Sequence, residues 1–157
     1  MPYTILRNSI YADMLLLFLG PNVTKTGVFI PAGNGKTPFA TRLDMAEAAA
    51  VVLTTPGHEN KIYPIASSTA YSFSDIASTL SELAGKTIPY IDADPVQYKE
   101  ALAQAGVPQE YIGVMSGFAE AFKQDEFNAT SNDLETLLGR KPASLKEFLQ
   151  TAYFSNN

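Results

Sequence analysis

The first apolar segment of this chain, Tyr3-Thr4-Ile5-Leu6, is β-branched, aromatic and aliphatic without polar alternation, the pattern of a strand buried on both faces in a parallel sheet. Arg7-Asn8-Ser9 then breaks the run. Ile10 to Leu19 follows, almost wholly apolar and long enough for about three helical turns. Strand, polar turn and helix make half of a βα unit. A doubly buried strand needs a neighbour on each side, yet only Met1 and Pro2 precede this one. The other members of its sheet are therefore expected outside this chain.

Further on, Gly20-Pro21-Asn22 stops the first helix. Gly27 to Pro31 and Pro38 to Thr41 read as short extended segments. Asn34-Gly35 between them has the composition of a tight hairpin turn, and the two prolines suit sheet edges. Asp44 and Glu47 resemble a capping box that opens the alanine-rich helix Met45 to Leu53. Lys61 to Ala66 predicts a strand. Ser72 and Asp75 form a second capping box, with Phe73, Ile76, Ala77, Leu80, Leu83 and Ala84 at helical spacing and Gly85 past the end. Thr87 to Ile91 is extended. Pro95 and Pro108 each open a helix, and Ser131 to Leu138 and Ser144 to Phe154 are shorter ones. Strands alternate with helices early and helices dominate later, so the fold class is α/β with a mainly helical end.

Composition narrows the function classes. With 157 residues, 46% of them hydrophobic, the chain can bury a real core as one unit. Eleven basic against 16 acidic residues give a net charge of -5, and no basic cluster marks a nucleic-acid binder or a surface for anionic lipid. Cysteine is absent, which removes thiolate metal sites and disulfides and fits a reducing cytoplasm. Met14 to Leu19 is far shorter than the roughly 20 residues of a membrane span. Asn22-Val23-Thr24 and Asn128-Ala129-Thr130 match the glycosylation pattern by chance.

Several tempting motifs fail on spacing. Gly33-Asn34-Gly35-Lys36-Thr37 lacks the earlier glycine of a phosphate loop, where Ile30 stands, and the third glycine of a dinucleotide fingerprint, where Pro38 stands. No tyrosine has a lysine four residues on, so the acid-base pair of short-chain dehydrogenases is missing. His58 is alone in a turn and reads as an exposed loop residue without a metal or triad role. Asp92 with Asp94, and Asp125 with Glu126, read as solvated or capping carboxylates. Gly113 and Gly117 form a small-residue pair suited to close helix packing or ligand approach. What survives is Arg7-Asn8-Ser9, because open α/β sheets bind ligands beyond the carboxyl ends of their strands. Asn8 offers donors and an acceptor to a carboxamide or a carbonyl, and Tyr11 can stack on a planar molecule.

The residues also carry a family resemblance. Tyr3 to Asn8, Arg42-Leu43-Asp44-Met45-Ala46, Phe73-Ser74-Asp75-Ile76-Ala77 and Gly85-Lys86-Thr87-Ile88-Pro89-Tyr90 come in the order found in NmrA-like proteins. Ala105-Gly106-Val107-Pro108 and Leu138 to Leu145 continue it. The chain resembles the carboxyl-terminal part of these atypical short-chain dehydrogenases, especially their NAD(P)H:quinone oxidoreductase branch. That resemblance implies an incomplete Rossmann-like sheet, with the glycine-rich dinucleotide half of the family not represented. It also implies NADP or NAD as cofactor and a quinone-like small molecule as substrate, with Arg7 and Asn8 beside the cofactor and Ser9 and Tyr11 on the substrate. Ser9 and Ile10 stand where the family often has Gly-Trp. Expected, then, is the substrate-side portion of a reductase, inactive alone. The alternatives are a redox-sensing regulator of the same family and a non-catalytic interaction module. Self-association through exposed apolar surface is expected with any of them.

Overall fold

The computed structural model describes residues 1–155, a mixed α/β arrangement with two short parallel ribbons. Strand β1 (Thr4–Asn8) pairs in parallel with β3 (Lys61–Ile65), placing Ile5 against Ile62 and Asn8 against Ile65. Strand β2 (Val28–Phe29) pairs in parallel with β4 (Tyr90–Ile91). Between and after them run helices α1 (Leu15–Leu19), α2 (Val23–Thr26), α3 (Arg42–Thr54), α4 (Phe73–Ala84), α5 (Pro95–Gln104), α6 (Gln109–Lys123), α7 (Asp133–Leu138) and α8 (Leu145–Phe154). A short 3-10 turn over Ala12–Met14 leads into α1.

Local chemistry sets most of these boundaries. Ser72 and Asp75 exchange side-chain and backbone hydrogen bonds at the start of α4, and Gly85 closes it in the left-handed conformation. Ser144 and Glu147 repeat the box at α8, and Asp94 caps α5 with Pro95 in its first position. At α3 the expected start needs correcting. Thr41, not Asp44, is the cap: its hydroxyl accepts from the Asp44 amide and donates to Asp44 Oδ2, so Asp44 is the third helical residue.

The larger of two cores joins α1, β2, α4, α5, α6 and α8. Phe122 is its hub, with ring centroids 5.2 Å from Phe73, 5.3 Å from Phe127 and 5.4 Å from Phe18. Such edge-on pairs add about 0.5–1.5 kcal/mol each beyond area burial. In this core Tyr98 is 1% exposed and its hydroxyl has no partner among the described residues. The smaller core gathers Ala40, Met45, Ala48, Ile65 and Leu134, with Leu6 and Tyr63 packed against it. Thus α3 and α7 cover one face of the β1–β3 ribbon.

The opposite face is bare. Tyr3 is 49% exposed, Ile5 45% and Ile62 51%, and β1 has β3 as its only strand partner among the described residues. The expectation that β1 is buried on both faces is therefore not met in this chain, because burial would need a second neighbouring strand and a covering layer. The expected hairpin around Asn34-Gly35 is also absent: β2 pairs with β4, and Ala40 bridges to Tyr11. The turn itself forms at Gly33, with φ +54, while Gly35 serves a different need. A Cβ there would lie 1.7 Å from the Phe122 carbonyl oxygen, so only glycine lets this loop rest on the end of α6. Gly113 and Gly117 face open space and do not pack a second helix.

Candidate functional site

The turn that leaves β1 is held by main-chain bonds at both ends. Ser9 N donates to Ile65 O at 2.9 Å, extending the parallel ladder by one residue. Ala12 N donates to Ala40 O at 2.8 Å, which ties the turn to the residues that start α3. Successive strand residues face opposite sides, so Leu6 and Asn8 look toward α3 while Arg7 joins Tyr3 and Ile5 on the bare face.

This alternation divides the expected site residues. Asn8 and Tyr11 line one cleft of about 270 Å3 together with Arg42, Met45, Ala46 and Ala49 of α3. Arg7 and Ser9 do not line it. Arg7 stands exposed, without an ion-pair partner among the described residues, and Ser9 is half-buried in the ladder extension.

The residue that sequence reasoning passed over is Arg42. It occupies the first position of α3, where the helix macrodipole disfavours a cation. That misplacement was the available signal. Asp13 compensates: its Oδ2 accepts from Arg42 N at 3.0 Å and its Oδ1 from Arg42 Nε at 3.1 Å. Burial alone would raise the Asp13 pKa, but these two hydrogen bonds and the guanidinium charge hold the carboxyl below its ordinary value. The clamp leaves Arg42 Nη1 and Nη2 unpartnered among the described residues, as are the Asn8 amide and the Tyr11 hydroxyl. Three polar groups free to bind thus surround a floor of methionine and alanine.

Other candidates are absorbed by structure. The glycine-containing loop has its amides occupied by carboxylates, Gly33 N by Asp92 Oδ1 at 3.0 Å and Lys36 N by Asp125 Oδ1 at 2.8 Å. The Lys36 amide and the Asn128 side chain hold the Asp125 carboxyl below its usual range. A loop whose amides already hold carboxylates from after β4 and after α6 is not a phosphate cradle. His58 is half-buried, not exposed: it hydrogen-bonds Tyr63 and Thr55 at 2.8 Å each and braces the start of β3. Because the Thr55 hydroxyl already donates to Val51 O, it accepts from His58 Nε2, and Nδ1 accepts from Tyr63.

A larger cleft, about 820 Å3, runs from Asp13 and Asp44 to Arg140 and α8. Its charged groups are largely satisfied internally. Arg140 bridges Asp44 and Glu47, and Glu147 caps α8. No group of three metal-ligating side chains occurs among the described residues, and no helix of the structure is long and apolar enough to cross a membrane.

For a dinucleotide, then, the residues present fit one end only. Asn8 presents an unpartnered amide that can pair either with a nicotinamide carboxamide or with an acceptor carbonyl, and the glycine-containing loop offers no cradle for a pyrophosphate.

The chain is similar to several known reductases. No family model matches the chain. Quinone oxidoreductase 2 of Escherichia coli is 31% identical over 99% of this chain and 54% of its own length. An NAD(P)H azoreductase of Xenophilus azovorans is 27% identical over 94% of this chain and 52% of its own. The solved triphenylmethane reductase of a Citrobacter species superposes with a TM-score of 0.90 at 35% identity, covering 97% of this chain and 53% of that one. The chain spans about half the length of the curated relatives it matches. Over that half the chain is similar to proteins named as NAD(P)H-dependent oxidoreductases, and, at 20% identity, to an NmrA-like family domain-containing oxidoreductase of Aspergillus flavus.

Proposed function

We propose that this chain is the substrate-side, carboxyl-terminal portion of an NAD(P)H-dependent reductase acting on quinones or similar flat acceptors. The observation that carries the reading is the cleft of Asn8, Tyr11 and Arg42, which lies at the carboxyl end of a parallel strand. A bound nicotinamide supplies a hydride. The chain's own residues orient and hold the acceptor. Asn8 donates to a carbonyl oxygen, Tyr11 lays its ring against the acceptor plane, and Met45, Ala46 and Ala49 exclude water beneath it.

The same reading assigns the free edge and bare face of β1 to a nucleotide-binding half, which would add the next strand and a covering layer. Without that half the chain associates with itself through the same surface. NADPH mixed with a quinone and the pure chain should show no protein-dependent loss of NADPH absorbance. Adding the nucleotide-binding half of a relative should produce it. Robust turnover by the chain alone, or none in the reconstituted pair, overturns the proposal.

A further inference from the structure

We infer that the cleft selects acceptors bearing a carboxylate or sulfonate on a flat aromatic frame, and that Arg42 reads this charge. The inference rests on the cleft being the acceptor site and adds the class of acceptor. Quinone reduction as such needs no cation here, since a carbonyl is served by Asn8.

Three features single out Arg42. Both oxygens of Asp13 are engaged by the backbone nitrogen and Nε of Arg42, which anchors one edge of the exposed guanidinium and leaves its Nη1 and Nη2 pair unpartnered among the described residues. That pair is the fork that matches a carboxylate or sulfonate with two parallel hydrogen bonds. Second, Arg42 sits at the positive end of the thirteen-residue α3, where the helix field adds to the attraction for an anion. Third, Ala46 and Ala49 line the cleft with single methyl groups, which leave room for a ring that longer side chains would displace. Asn8 and Arg42 then serve different ends of one ligand, the amide its reducible carbonyl and the fork its anionic substituent.

The chain as a whole carries a net charge of -5, so an anionic ligand gains nothing from general electrostatic attraction. A preference for anions must come from the local fork, which makes it separable by one substitution.

The test is equilibrium binding of anthraquinone sulfonate and of its neutral hydroxymethyl counterpart to the pure chain, followed by calorimetry without cofactor. The sulfonate is expected to bind at least about tenfold more tightly. Arg42→Gln should bring the two affinities together, abolishing the preference for the sulfonate. Arg42→Lys keeps the charge beside Asp13 and loses the fork, so it should retain only part of the preference, and it covers the case in which the glutamine variant fails to fold. Equal affinities in the unmodified chain, no binding of either probe, or an undiminished preference in the Arg42 variants overturns the inference. Because no cofactor is present, failure of the reductase reading shows separately, as absent turnover in the reconstituted pair.

Discussion

Arg140 Nη2 lies 2.9 Å from Asp44 Oδ1, joining residues 96 positions apart at the start of α3 and the loop before α8. Asp44 is 4% exposed at its side chain and also accepts from the Thr41 hydroxyl and the Ala143 amide. One buried carboxylate thus ties the last helix to the helix that floors the cleft. Asp44→Ala strands the Thr41 hydroxyl and the Ala143 amide and leaves Arg140 with Glu47 alone, and should cost about 3 kcal/mol in urea unfolding. Arg140→Ala should cost clearly less, because Asp44 keeps two donors. Equal losses would show that the pair acts only as an ion pair.

Tyr98 illustrates the opposite case, a buried hydroxyl with nothing to bond. Burial pushes its pKa up to about 12. Tyr98→Phe removes the orphaned group and keeps the ring, and should stabilise the chain by about 1 kcal/mol. Thermal unfolding measures it, and destabilisation would mean the hydroxyl has a partner in solution.

Two glycines should respond in opposite directions to alanine. Gly35→Ala drives a Cβ into the Phe122 carbonyl and should cost at least about 2 kcal/mol. Gly113→Ala, in the exposed interior of α6 with nothing within 4 Å, should gain about 0.5–1 kcal/mol from helix propensity.

Acid should weaken the fold through its cap and clamp carboxylates. Asp75 is held below its ordinary value of 3.8 first by the Ser72 amide, against an opposing effect of burial, and then by the Ser72 hydroxyl. Asp13 is lowered by Arg42 despite its burial. A folded pKa below the unfolded one means stability that is complete above the unfolded value and lost as pH falls through the folded one. Denaturant midpoints should therefore hold steady above about pH 5 and decline below about pH 4. In Asp75→Asn the decline should be shallower.

The bare ribbon predicts self-association. Light scattering should show growth with concentration, and Ile5→Lys with Ile62→Lys should suppress it by charging the face that pairs them. A monodisperse monomer at high concentration would remove this prediction.

Legibility in the sequence tracked how local each signal was. Pro95, Gly85 and the box at Ser72 act within four residues of themselves, and each stands where the pattern put it. The turn at Asn8 was legible because strand, break and helix are contiguous. Arg42 was not, since its partner Asp13 lies 29 residues away and the Tyr11–Ala40 bridge brings the two together. The hairpin expected at Asn34-Gly35 misread a glycine that answers to Phe122, a constraint visible only in three dimensions.

The main-chain rivets at Ser9, Ala12 and Ala40 have an evolutionary corollary. Since these peptide groups hold the strand turn against the residues before α3, cleft residues outside the Asp13–Arg42 clamp, such as Asn8 and Tyr11, can be exchanged without shifting the frame that carries them. A lineage built this way can change the lining of the cleft by point substitutions while the frame stays in register.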